Sequence, residues 1–175
     1  MRLSFVKMHG LGNDFAILDG RDAELPRLSP TQIAALADRH RGIGFDQLIV
    51  LSPSRTADMA MRIHNADGSE VEACGNATRA VAVLHGTAAS IETEGGLLQA
   101  RPDAAGAEVA MGRARFDWQD IPLAYAMDTR EMPLGWDMLE RPSAVSVGNP
   151  HLIFFVNDVD AVPLETLGPE IEHDP

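Results

Sequence analysis

Residues 65–86, NADGSEVEACGNATRAVAVLHG, decide how this chain is read. The first six are a turn by composition, with Asp67-Gly68 at its centre. From about Asn76 to His85 the chain is rich in Ala, Val and Leu and closes on Gly86, which predicts a buried helix with a glycine stop. Just upstream, Met59, Met61 and Ile63 alternate with Ala60, Arg62 and His64, the period-two pattern of a half-buried strand. A strand, a turn and a buried helix therefore follow one another without a linker. Downstream, SIETE (90–94), a Gly95-Gly96 turn, LLQA (97–100) and AEVAMG (107–112) read as strands. Toward the amino terminus, LSFVKM (3–8) and FAIL (15–18) read as strands flanking the turn HGLGND (9–14), and QLIVL (47–51) as a short buried strand.

Between these lies a second helix with its own signals. Ser29 is the expected N-cap, Pro30 the first helical residue and Gln32 the capping-box partner; Ile33, Ala34 and Leu36 supply an apolar face, and Gly42 is the expected stop. Residues 117–142 are proline-punctuated and acidic, and read as a linker or loop. AVSV (144–147) and HLIFFV (151–156) then read as strands around Gly148-Asn149-Pro150. Strands joined by short turns, with two helices set apart from them, predict an α+β fold: a mostly antiparallel or mixed sheet around a buried helix.

Composition narrows the functional classes. With 45% hydrophobic and 23% charged residues the chain is globular in character. No run approaches the roughly 20 apolar residues of a membrane span, and the start MRLSFVKMHG lacks a signal-peptide pattern, so a cytoplasmic protein is expected. A net charge of −12 opposes nucleic-acid and anionic-membrane partners. One cysteine excludes an internal disulfide and a multi-cysteine zinc site, and the six histidines show no metal-ligand spacing, so no metal is expected. The only lysine is Lys7, which alone could carry a pyridoxal-phosphate Schiff base. Acidity is uneven: residues 117–175 hold 12 acids against Arg130 and Arg141, whereas 1–116 hold 14 acids and 12 bases. The shift near 116 marks a domain boundary, giving 1–116 and 117–175.

Chemistry-bearing residues cluster in the same stretch. Cys74 falls at the amino end of the buried helix, where unpaired N–H groups favour thiolate over thiol by roughly 0.3–1 kcal/mol. The competing reading is an inert, buried small residue. Gly75-Asn76 lets a ligand approach backbone N–H groups, as a carboxylate would, although Asn76 also suits an N-cap. Asn13, Asn65, Asn76 and Asn149 offer donors and acceptors fit for a zwitterion, yet each also suits a turn. His151, just after Gly148-Asn149-Pro150, is placed to orient a thiol. HGLGNDF and GIGFD lack the complete dinucleotide and phosphate-loop motifs.

Taken together, KMHGLGNDF (7–15), GIGFDQ (42–47), NADGSE (65–70), ACGNATR (73–79) and VGNPH (147–151) resemble diaminopimelate epimerases, in the family's order and with similar gaps. The resemblance implies a cofactor-independent isomerase of lysine biosynthesis that inverts one α-carbon of diaminopimelate, L,L to meso, with two cysteines on opposite faces of that carbon. It implies that Cys74 is the first of the pair and that His151 lies near the thiols. It places Asn13, Gln47, Asn65, Gly75, Asn76 and Asn149 at positions contacting a small diamino-dicarboxylate. It also implies a two-lobed fold, with 1–116 as the first lobe and 117–175 as the opening of an incomplete second one. No second cysteine is present, so the 175 residues alone are expected not to epimerise. Uncovered apolar strands such as HLIFFV predict marginal stability and self-association, for instance as a homodimer. Two other readings stand beside this one: a proline-racemase-like or phenazine-biosynthesis-like isomerase, and a non-catalytic dimerisation or binding module. Ala80, where the family often has a further cysteine, is a minor departure.

Overall fold

The computed structural model describes residues 3–174. The chain divides into two compact units between Met111 and Gly112. The first contains β1 (Val6–Gly10), β2 (Asn13–Asp19), α1 (Pro30–Ala37), β3 (Gln47–Ser52), β4 (Met59–Asn65), β5 (Glu70–Val71), α2 (Gly75–His85), β6 (Ala89–Thr93), β7 (Gly96–Asp103) and β8 (Gly106–Ala110). Its strands form one sheet ordered β1-β2-β3-β4-β6-β7-β8, with β5 paired to β4. Two pairs are parallel, β2 with β3 and β4 with β6; the other five are antiparallel. The fold is α+β, as expected. Helix α2 packs against β1 and also against β7 and β8, the opposite ends of the strand order, so the sheet curls around the helix.

Strand alternation sorts the side chains onto two faces. Phe15, Ile17, Ile49, Leu51, Met59, Met61 and Ile63 pack with Ala77, Val81 and Ala82 of α2. Ala16, Leu18 and Leu48, one residue out of phase, pack with Ile33 and Ala37 of α1 and with Phe45. Each large apolar side chain so buried is worth about 1.5–3 kcal/mol, enough to make the register of β2, β3 and β4 a one-solution problem: a slip by one residue would exchange the two cores.

The helix signals are realised with two differences. Ser29 caps α1, and its side chain and that of Gln32 form the reciprocal box. The helix ends earlier than Gly42, because the Asp38 carboxylate accepts from the N–H groups of His40 and Arg41 and the chain folds back onto the Leu36 carbonyl. Gly86 closes α2 in the left-handed region, φ 82°, as expected. Its N-cap, however, is Cys74; Asn76 lies inside the first turn and caps nothing.

The second unit holds a 3-10 turn (Trp118–Asp120), the hairpin β9 (Gly135–Trp136) and β10 (Leu139–Glu140), the pair β11 (Ser143–Ser146) and β12 (Pro150–Ile153), and α3 (Leu164–Glu172). Residues 117–142 are thus more structured than a linker: Ile121 and Met132 are buried with Ala144. Strand β12 stops at Ile153, short of the expected 156, and Phe155 stands 89% exposed. Helix α3, with Leu167 buried, had no counterpart in the sequence reading. Among the described residues no helix is long and apolar enough to cross a membrane.

Candidate active site

Asn13, Gln47 and Asn65 are end residues of neighbouring strands. Gln47 pairs directly with Asn65 across β3 and β4, and with Phe15, two residues after Asn13, across β2 and β3. All three continue the α2-facing rows of Phe15/Ile17, Ile49/Leu51 and Met61/Ile63, so the face turns from hydrocarbon to amide at one end of the sheet. That Asn13 and Asn65 are strand residues corrects their reading as turn residues. The β1–β2 turn itself is only Leu11-Gly12, both at positive φ, 52° and 91°.

The amides are linked. Asn76 donates from Nδ2 to the Gly10 carbonyl (2.9 Å) and to Asn13 Oδ1 (3.1 Å), tying the first turn of α2 to the β1–β2 hairpin. This needs Gly10, since a Cβ there would overlap Asn76 Oδ1. Gln47 Nε2 donates to Asn65 Oδ1 (3.3 Å), and Asn65 Nδ2 to Ser69 Oγ (3.1 Å). Gln47 Oε1 is buried with no hydrogen-bond partner among the described residues. Leaving a buried acceptor unmet costs about 1–3 kcal/mol.

Cys74 stands at the entrance of α2. Its Sγ accepts from Ala77 N at 3.4 Å, and its carbonyl accepts from Thr78 N and Thr78 Oγ1 at 3.0 and 2.9 Å. The residue packs at the margin of the core and is intermediate in burial. Ser, Thr, Asp and Asn are the strong N-caps; a thiol is a weak acceptor, and capping does not explain a cysteine here. Helix geometry leaves the N–H groups of Gly75 and Asn76 without intrahelical acceptors beside that sulfur. Together they offer an anion-facing N-terminus flanked by amides.

Behind the amides lies an ionic cluster that sequence reasoning missed. Lys7 pairs with Asp14 and donates to the Gly44 carbonyl. Arg39 bridges Asp14 and Asp46, at 2.7 Å to each. Asp46 Oδ2 accepts from Asp14 N (2.9 Å) and weakly from Asn13 Nδ2 (3.4 Å), while Asp46 N donates to Asp14 Oδ1. The Arg39 guanidinium, with Lys7 assisting, holds the Asp14 carboxyl far below the ordinary carboxylate range, against the opposing pull of burial. The signal was present: Asp14 follows Asn13 and Asp46 precedes Gln47, so each acid anchors the backbone of a site residue. Lys7 is thereby committed to an ion pair.

Asn149 and His151 belong to the second unit, Asn149 on the β11–β12 turn and His151 in β12, where His151 Nε2 and Asn149 Oδ1 lie 3.1 Å apart. Among the described residues no group of three or more His, Cys, Asp or Glu side chains is arranged to hold a metal.

A family model for diaminopimelate epimerase matches residues 5–117, which include every site residue of the first unit. The chain belongs to the diaminopimelate epimerase family. It is 63% identical over 175 residues to the diaminopimelate epimerase of Erythrobacter litoralis, covering 100% of this chain and 65% of that protein. Against that of Sphingopyxis alaskensis the identity is 59%, over 98% of this chain and 63% of the relative. The chain thus spans just under two thirds of the length of these relatives. Among solved structures, a hydroxyproline epimerase from Agrobacterium vitis superposes with a TM-score of 0.60 at 14% identity, over 90% of this chain and 53% of that one. A phenazine biosynthesis protein of the PhzF family from Bacillus anthracis gives 0.54 at 20% identity, over 90% of this chain and 56% of that one. At such identities these two neighbours speak for the shared fold alone.

Proposed function

We propose that this chain carries one face of a cofactor-independent amino-acid epimerase site of lysine biosynthesis, with diaminopimelate as substrate and Cys74 as the acid/base group. What carries the reading is the placement of Cys74, a residue of intermediate burial, at the N-cap of α2, in the stretch whose amides converge on the ends of β2, β3 and β4. The Cys74 thiolate takes the α-hydrogen: the Cα–H bond breaks, an S–H bond forms, and the electron pair moves toward the carboxylate. The N–H groups of Gly75 and Asn76 meet the charge that develops there. Asn13, Gln47 and Asn65 suit the ammonium and carboxylate groups of the substrate, since each amide both donates and accepts. Inversion then requires an acid on the opposite face. Cys74 is the one cysteine in the sequence, so this second acid, a cysteine on the family reading, is not supplied by these 175 residues. On the family resemblance alone, His151 is assigned to the acid/base chemistry and Asn149 to substrate contact. A cytoplasmic setting and a homodimeric state complete the reading.

The test is α-hydrogen exchange. Incubated with L,L-diaminopimelate in D2O, the protein is expected to place deuterium at the α-carbon, and Cys74→Ala to slow this by about 10²-fold or more, the usual share of a general base. Side-chain amide resonances of Asn13, Gln47, Asn65 and Asn76 should shift saturably with the same ligand. Exchange that survives Cys74→Ala, or amides indifferent to the ligand, would refute the assignment.

A further inference from the structure

Parallel pairing of β2 with β3 begins at Phe15 and Gln47 and runs on to Asp19 and Leu51. The end at which it begins is the end that carries the Asn13 and Gln47 amides. One further row holds the two strands together there, and side chains help to make it. Asp46 N donates to the Asp14 carbonyl and to Asp14 Oδ1, both at 3.0 Å, and Asp14 N donates to Asp46 Oδ2 at 2.9 Å. That row brings two carboxylates together, one beside Asn13 in the chain and the other beside Gln47.

Arg39 is what lets the two acids meet. A single nitrogen, Nη2, donates to Asp14 Oδ1 and to Asp46 Oδ1, at 2.7 Å each, while Nη1 reaches Asp14 Oδ2 at 3.2 Å. Lys7 serves Asp14 and the Gly44 carbonyl, so among the described residues Arg39 is the one cation paired with Asp46. The Arg39 side chain is 55% exposed, and ion pairs so open to water add little to overall stability. Its removal acts locally instead: Asp46 would face the Asp14 carboxylate with no cation of its own, and like charges at such a distance repel. At neutral pH the acids relieve that repulsion by parting, which widens the gap between Asn13 and Gln47.

We propose that Arg39 is a positioning residue: by bridging Asp14 and Asp46 it sets the distance between the Asn13 and Gln47 amides, and with it their fit to the charged groups of the substrate. The inference rests on the reading of those amides as substrate contacts given above. Arg39 itself touches no substrate.

The experiment compares the full chain with Arg39→Ala and with Arg39→Ala/Asp46→Asn. Asparagine at 46 keeps an acceptor for Asp14 N, carries no charge and turns its other end into a donor toward Asp14 Oδ1. Three quantities are read at pH 7: hydrogen exchange at the Asp46 backbone amide, the dissociation constant for L,L-diaminopimelate from NMR shifts, and the limiting rate of α-deuterium uptake. In Arg39→Ala the Asp46 amide should exchange about tenfold faster, as a locally opened strand end does. Binding should weaken by about tenfold or more, the worth of one hydrogen bond to a charged group. The limiting rate should stay within about twofold of the parent, the mark of lost binding without lost chemistry. The double variant should regain both amide protection and affinity although it still lacks the ion pairs, a recovery that a merely stabilising role of Arg39 would not give. Unchanged protection or unchanged affinity in Arg39→Ala would overturn the proposal. So would a limiting rate that falls while affinity holds, or losses as large in the double variant as in the single one. A parent chain that neither binds diaminopimelate nor exchanges its α-hydrogen overturns the reading of the amides and this inference together, whereas a parent and an Arg39→Ala protein that bind equally well refute the role of Arg39 alone.

Discussion

Replacing Asn76 by aspartate sets two effects of opposite sign against each other. In favour of the variant, Asn76 occupies the first turn of α2, where a carboxylate is welcomed by the helix dipole. That gain is about 0.3–1 kcal/mol, and up to ~2 in a partly buried setting. Against it stands the amide nitrogen, which donates to the Gly10 carbonyl at 2.9 Å and to Asn13 Oδ1 at 3.1 Å. Asparagine to aspartate is nearly isosteric, so a carboxylate oxygen would occupy the same point and face two acceptors. Two neutral hydrogen bonds are lost, about 1 kcal/mol each, and the two acceptors left in partly buried surroundings add about 1–3 kcal/mol of unmet desolvation. The losses win, and N76D should be less stable by about 1–5 kcal/mol. Asn76→Ala loses the same bonds without the repulsion and regains some helix propensity, so it should fall between the two. Urea unfolding read by far-UV circular dichroism gives the order, and hydrogen exchange at the β1 and β2 amides shows whether the loss is centred on the hairpin. An N76D protein as stable as the parent, or more so, would mean that the helix dipole dominates and that the Asn76 bridge to Gly10 and Asn13 has been misjudged.

Other substitutions probe the framework around the site. Because the Asp14 carboxyl is held far below its ordinary value of 3.8, its contribution to stability is present above that pH and is lost as pH falls through the lower, folded value. Arg39→Ala removes the main cause, so the urea midpoint should depend less steeply on pH below about 4 in the variant than in the parent; parallel pH profiles would count against the cluster. Gly68→Ala must bear a positive-φ residue and a Cβ against Pro30, and should cost about 2–4 kcal/mol, read as a lower urea midpoint. Ser29→Ala dissolves the capping box of α1 and should cost about 1 kcal/mol in the same assay, with little effect on Cys74 reactivity toward a thiol reagent. A cost below about 0.3 kcal/mol would show that tertiary packing, not the cap, fixes the start of that helix.

Much of this architecture is visible in local signals. Ser29-Pro30 and Gln32 carry a complete start signal in four residues, and Gly86 a complete stop, because capping is a matter of backbone groups a few ångströms apart. The alternation at 59–64 is legible for the same reason. Features set by distant partners are not. Gly42 reads as a stop, yet Asp38 ends α1 first. Asn76 reads as a cap because asparagine favours that position, and only the approach of Gly10, 66 residues earlier, shows why an amide is needed inside the helix. The Lys7–Asp14–Arg39–Asp46 cluster draws on three separate segments, and its only local trace is that Asp14 adjoins Asn13 and Asp46 adjoins Gln47. Helix α3, interrupted by Gly168 and Pro169, contradicts its own propensities, and its buried Leu167 shows tertiary packing at work.

The site's position follows from strand parity. On β2, β3 and β4 the residues facing α2 are odd-numbered, and hydrocarbon fills those rows until the strands reach the level where the helix begins. There the same rows supply Asn13, Gln47 and Asn65, and the helix supplies Cys74, Gly75 and Asn76. A polar side chain anywhere deeper in these rows would have to be satisfied inside the core at about 1–3 kcal/mol per unmet group; one placed higher would be screened by water. At the boundary the amides can be held by one another, while Gln47 Oε1 is left without a hydrogen-bond partner among the described residues. The same alternation, one residue out of phase, puts Leu48, Val50, Arg62 and His64 on the other face, where they line a cavity of about 770 Å3 beside α1. One three-strand register therefore fixes both, and a change that shifted β3 by a single residue would lose the amide row and the cavity floor together.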